Sequence, residues 1–182
     1  DHTHPPTLQK IDKSISVVAS EAASKVVREI GFRKVKILKP GNIFKYKNLK
    51  IEATEGASVP NLENGYIIDY NLDSIYIEPH GFLDKKIKPR SVDLVITPVI
   101  DFSIPLVGKF IKGKTVIPEL LKLFNPSTVL ASTTGGDITF TGIINNIINV
   151  DGSLDDIKLL NNSNTKFINP IPFKEYTLKN NK

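Results

Sequence analysis

The chain of 182 residues contains no cysteine, no methionine and only three histidines. Without cysteine there is no disulfide framework, no thiolate metal site and no cysteine nucleophile. No apolar run approaches the roughly 18–20 residues that a membrane helix requires, so a membrane partner is not expected. A chain that lacks methionine and opens Asp1-His2-Thr3-His4 reads as the C-terminal part of a longer protein, with any targeting segment upstream. A cytoplasmic location is the expectation that remains. The hydrophobic fraction of 40% and charged fraction of 24% exclude a disordered or collagen-like chain. The length fits one domain over residues 1–182 with a core of its own.

Lys and Arg number 24 against 19 Asp and Glu, for a net charge of +5. The basic residues gather modestly at Lys85, Lys86, Lys88 and Arg90, and again at Lys109, Lys112 and Lys114. Neither group carries interleaved aromatics or a recognisable binding module, so nucleic acid is not the expected partner. The stretch from Lys85 to Arg90 is expected to be a solvated loop with no pocket.

Local patterns favour layered α/β structure. Val17-Val18-Ala19 reads as a short strand, Ser20 as a helix N-cap, and Ala22, Ala23, Val26, Val27 and Ile30 as one helical face that Gly31 ends. Lys34 to Lys39 alternates like a half-buried strand, and Ile43 to Ala53 carries two extended pieces around Lys47-Asn48. Gly65 to Tyr70 and Ser74 to Glu78 form a hairpin around Asn71-Leu72-Asp73. Leu94, Val95 and Ile96 form a run without alternation, which predicts a strand buried on both faces. Pro118 fits the first turn of a helix that Asn125-Pro126 stops. Thr128 to Ser132 reads as a strand, Ile143 to Val150 as a helix, and Ser153 as the cap of a last helix. The chain closes with an extended segment over Lys166 to Leu178.

Chemistry points to the histidines. His2 and His4 stand together at the start, and His80 sits in Glu78-Pro79-His80-Gly81, just past the apolar strand Ile75-Tyr76-Ile77. Strand ends followed by glycine turns present side chains at the edge of a sheet. Neutral imidazole is the commonest metal ligand and carboxylates complete such sites. Asp1, His2, His4 and His80 are therefore the candidate metal ligands, with zinc the first expectation among divalent ions. Asp137 and Glu78 are candidate proton acceptors, and Asp101 is a further candidate by its place after a strand. The segment Thr133-Thr134-Gly135-Gly136-Asp137 lacks the Lys and the glycine spacing of a phosphate loop. No Gly-x-Ser-x-Gly elbow surrounds Ser58, Ser103 or Ser132, which disfavours covalent serine catalysis.

Four segments occur in order: Asp1 to Leu8, Glu63-Asn64-Gly65-Tyr66, Glu78-Pro79-His80-Gly81 and Thr134-Gly135-Gly136-Asp137. In this respect the chain resembles the metallo-β-lactamase superfamily, most closely a group of members from cyanobacteria and plants. The resemblance implies an α/β four-layer αββα sandwich that lacks its first strands here. It also implies metal-dependent hydrolysis of a small-molecule substrate, with Asp1 and Asp137 as catalytic residues. The superfamily hallmark is His-x-His-x-Asp-His, of which only Asp1 and His2 stand in this chain. Gly56-Ala57-Ser58 occupies the place of a Gly-His-Thr-like turn, and His80 falls near the position of a metal-bridging Asp. Thr133, Thr134 or a glycine replaces the last metal-binding histidine. The resemblance therefore implies a non-standard metal site, or a fold that has become a ligand- or partner-binding protein. A nucleic-acid-processing role is the third reading.

Overall fold

The computed structural model describes residues 3–58, 62–132, 147–160 and 165–177. Its centre is a seven-stranded mixed sheet in the order β12-β10-β7-β6-β5-β4-β3. These strands are β3 (Ile43–Tyr46), β4 (Leu49–Ser58), β5 (Leu62–Tyr70), β6 (Asp73–Ile77), β7 (Leu94–Thr97), β10 (Thr128–Ala131) and β12 (Lys166–Ile168). From β3 to β6 the strands run antiparallel, with two-residue turns between β3 and β4 and between β5 and β6, and from β6 to β12 they run parallel. Parallel neighbours need long crossovers, and these carry the helices α3 (Gly113–Phe124) and α4 (Leu154–Leu160).

The core lies where α3 covers the sheet. Ile67, Tyr76, Val95 and Val129 point inward from four adjacent strands and meet Ile117, Leu120 and Phe124 of α3 and Ile157 of α4. The Tyr76 and Phe124 rings stack with centroids 4.6 Å apart. Leu94 and Val95 are buried as expected, but Ile96 is only half-buried. Alternation places Leu94 and Ile96 on the face away from Val95, and that face is less completely covered.

A smaller unit precedes the large sheet. After the short helix α1 (Pro5–Gln9), β1 (Ser16–Ala19) runs into α2 (Glu21–Glu29) and then into β2 (Lys34–Ile37), which pairs with β1 in parallel. Ser20 caps α2 by accepting the Ala23 N–H, and Gly31 leaves the helix at φ +109°. A third sheet joins β8 (Asp101–Ile104), β9 (Gly108–Lys112) and β11 (Asn149–Asp151).

Three local expectations change. Pro118 is not in the first turn of α3, because the helix opens five residues earlier at Gly113. Asp101 anchors that earlier turn by accepting the Thr115 N–H at 3.1 Å. The helix expected over Ile143 to Val150 is extended in its described part, where Asn149, Val150 and Asp151 pair with Ser103, Phe102 and Asp101; residues 143–146 lie outside the described residues. The basic stretch after β6 is less solvated than its composition suggests. Arg90 is half-buried, with Nη2 3.0 Å from both oxygens of Asp69, and Lys86 bonds Glu55 beside a shallow cavity of about 100 Å³. Among the described residues no helix is long and apolar enough to cross a membrane.

Candidate functional site

The hairpin β5–β6 builds the site. Its register sets Tyr66 opposite Ile77 and Asp69 opposite Ser74, with a two-residue turn at Asn71-Leu72. Extending that register by three residues beyond Tyr66 sets Glu63 opposite His80. The contact is observed: His80 Nδ1 lies 3.5 Å from Glu63 Oε2. His80 is buried at 6% exposure, and its carbonyl accepts the Lys112 N–H at 3.0 Å, which ties the end of β9 to the turn.

Glu78 sits beneath this pair, fully buried, with Oε1 3.9 Å from His80 Nδ1. Its Oε2 accepts the N–H groups of Phe82 at 2.5 Å and His80 at 3.1 Å. The N–H groups of Ala57 and Gly81 also favour its charged form, but burial outweighs all of them and pushes the carboxyl up to about 7. No Lys or Arg pairs with it among the described residues.

Two glycines make this crowding feasible. A Cβ on Gly65 would lie 2.5 Å from Thr54 Oγ1 and 3.2 Å from Glu78 Cγ, so glycine is what lets Glu78 turn inward across β5. Gly81 adopts φ +70°, and a Cβ there would lie 2.6 Å from the Gly113 N. The Gly56-Ala57-Ser58 segment lies against the same cluster. It falls within an irregular stretch of the β4–β5 pairing, where a Cβ on Gly56 would meet the Glu63 carbonyl at 2.8 Å.

Two of the four segments noted in the sequence, Glu63 to Tyr66 and Glu78 to Gly81, thus meet at one end of the sheet. Asn64 Nδ2 adds a bond of 2.7 Å to the Leu38 carbonyl and one of 3.2 Å to the Tyr66 hydroxyl, which fixes β5 against the β2 exit. Asp1, His2 and Asp137 lie outside the described residues. His4 is exposed at the N-cap of α1, with Nδ1 2.8 Å from Thr7 Oγ1. Asp101 is buried and occupied structurally: it takes Lys109 Nζ at 2.7 Å and the Thr115 hydroxyl at 2.5 Å.

Glu63 is the residue that reading the sequence for isolated histidines and acids overlooked. Its place follows from the hairpin register, which the two-residue Asn71-Leu72 turn sets; the three-residue loop read from the sequence would shift that register by one and miss the pair. The donors suit a hard or borderline divalent ion in type, being one imidazole and two carboxylates. Among the described residues, however, no group of three His, Asp or Glu side chains is arranged to hold a metal. A metal at His80, Glu63 and Glu78 would need further donors.

The architecture matches solved structures of low sequence similarity. A protein from Parabacteroides distasonis assigned as a metal-dependent hydrolase superposes with a TM-score of 0.59 at 19% identity, covering 93% of this chain and 70% of that one. The metallo-β-lactamase fold protein YhfI from Bacillus subtilis gives 0.58 at 10% identity, over 91% of this chain and 67% of its own. The isothiocyanate hydrolase from Delia radicum gut bacteria gives 0.51 at 21% identity, over 72% and 60%. No family model matches the sequence, and no curated protein matches it significantly. The chain has the metallo-β-lactamase fold: mixed sheets with flanking helices.

Proposed function

We propose that the chain is a metal-dependent hydrolase of a small substrate, with His80 as the one described ligand of a non-standard site. The observation that carries this reading is the cluster of buried His80 and Glu78 with half-buried Glu63. Glu78 is fully buried with no Lys or Arg beside it among the described residues, and buried ionisable groups of this kind gather at functional sites. Asp1 and His2 would complete the ligand set, with His4 adjoining them. The group would be one divalent ion, zinc first, which when bound supplies a water of lowered pKa.

The chain's own residues have separable roles in this reading. Glu63, facing Nδ1, fixes the ring and tautomer of His80, as carboxylates do behind ligating histidines. Glu78 gathers the N–H groups of the turn and holds His80 and Gly81 in place. Asp137 is the proposed proton acceptor, and Asp1 acts both as ligand and in catalysis. The solved structures assigned as hydrolases support the reaction class, while the substrate is left open by the geometry.

A second reading has its own support. The fold is also compatible with a non-catalytic member that binds a ligand or partner, since His80, Glu63 and Glu78 do not by themselves make a three-ligand group. Metal content of the full chain, loaded in turn with zinc, iron and manganese, separates the two. One ion per chain, lost in His80→Ala and His2→Ala, supports the hydrolase. No retained ion at any loading establishes the non-catalytic reading.

A further inference from the structure

We infer that the face built by α2, β2 and the α1–β1 connection binds the phosphodiester backbone of a nucleic acid, independently of the His80 site. Charge is unevenly distributed along the chain. Residues 1–50 hold eleven Lys and Arg against four Asp and Glu, a net of +7, while residues 51–182 hold thirteen against fifteen. The basic stretches that stand out in the sequence are largely neutralised where they sit. Lys86 pairs with Glu55, Arg90 with Asp69 and Glu52, Lys109 with Asp101, and Lys114 with Asp151. In the first fifty residues only Lys50 pairs with carboxylates among the described residues.

The unpaired cations are contiguous. Lys13, Arg33 and Lys34 line one cleft of about 460 Å³ with Ser14 and Gly31. Lys34 and Lys36 both lie on the exposed face of β2, two residues apart and so roughly 6–7 Å along the strand. Arg28 reaches over from α2 to the carbonyl of Val35 between them, at 3.4 Å. Lys13 is held in place by the carbonyls of Leu8, Gln9 and Ile11 and lies 5.0 Å from the Phe32 ring centroid, so its charge stays at the cleft, and no carboxylate among the described residues forms an ion pair with it. Among the described residues no acid lines the cleft. Of the acids nearest in sequence, Asp12 is hydrogen-bonded by Ser14 and partly offsets the charge of Lys13 at an exposed position, and Glu29 lies next to Arg28 in sequence.

A row of five cations along a helix and a strand is more than a single small anion can engage, and it fits an extended polyanion. The face is also separate from the His80 cluster. Leu38, at the exit of β2, accepts from Asn64 on β5, whereas the cleft sits at Gly31 and Lys34, at the other end of that strand and about 13 Å away along it.

Fluorescence anisotropy of the full chain against short DNA and RNA duplexes, over a salt series, tests this. Binding at low salt should weaken with a log–log slope of about −4 to −5 on DNA, as five neutralised phosphates require. The triple variant Arg33→Ala/Lys34→Ala/Lys36→Ala should bind at least tenfold more weakly and lose about three from the slope. Lys85→Ala/Lys88→Ala, which removes exposed charge elsewhere, should bind as the parent does. All five side chains are exposed, and an unchanged melting temperature shows that each variant folds. The triple variant should keep the metal content of the parent, so this proposal and the hydrolase reading fail separately. Three results overturn the inference: no salt-dependent binding to either duplex, equal binding by the triple variant, or retention only on anionic phosphatidylserine vesicles. The last would assign the face, with the part-exposed Ile11 and Ile15 beside it, to a lipid surface.

Discussion

The two ends of the β5–β6 hairpin treat carboxylates in opposite ways. At the Asn71-Leu72 end, Asp69 takes Arg90 through both oxygens, Lys50 at 3.1 Å and the Ser74 hydroxyl at 2.7 Å. Burial is the largest single influence on Asp69 and acts upward, yet those bonds together hold it below the usual carboxylate range. At the other end, among the described residues, Glu78 meets only backbone N–H groups and an imidazole, and burial wins. A carboxylate that serves the sheet carries its counter-charge with it. A carboxylate left buried without one needs a different reason for its place, and the proposed site supplies that reason.

Substitutions sharpen this contrast. Glu78→Ala should have the largest effect, on the order of 3 kcal/mol or more, because it leaves the N–H groups of His80 and Phe82 without their acceptor in a closed turn. Urea unfolding measures it, and a loss below about 1 kcal/mol would show that the turn does not depend on Glu78. Asp101→Ala should cost about 2 kcal/mol, since it frees Lys109 and uncaps the first turn of α3. Burial acts upward on Asp101 as well, but Lys109 and Thr115 outweigh it and hold the carboxyl below its ordinary value. Its contribution is therefore complete above the unfolded carboxylate pKa, near 3.9, and is lost as the pH falls through the lower folded value. Wild-type stability should drop below about pH 4, and Asp101→Ala should show a shallower drop over the same range. Asp69→Asn should cost about 1 kcal/mol, the scale of a part-exposed bidentate ion pair. Lys86→Ala should leave the melting temperature unchanged despite its short bond to Glu55, because the Lys86 side chain is 78% exposed.

What the sequence revealed follows from how local each signal was. The β1–α2–β2 unit was legible because Ser20, the apolar face of α2 and Gly31 are read within one helix length. The β3–β4 and β5–β6 hairpins announced themselves through Lys47-Asn48 and Asn71-Leu72-Asp73, the second turn being one residue shorter than expected because Asp73 pairs with Tyr70, and Lys47 and Asn71 do adopt positive φ. The β8–β9 hairpin was not legible: its turn holds the exposed Leu106 and Val107, which look like strand residues. The start of α3 was hidden because its anchor, Asp101, lies fourteen residues before Thr115 in sequence. At the site, His80 was legible from its Pro-His-Gly turn. Glu63 was not, because its part is defined only by the pairing across the hairpin.

The claim that His80 is a metal ligand is tested most directly by X-ray absorption at the zinc edge on the full chain, loaded with zinc and freed of excess. The account predicts nitrogen and oxygen neighbours at about 2.0–2.2 Å, with the outer-shell signature of imidazole. In His80→Ala that imidazole signal should fall by one ligand. A parent chain that retains no zinc, or a spectrum unchanged by His80→Ala, would contradict it.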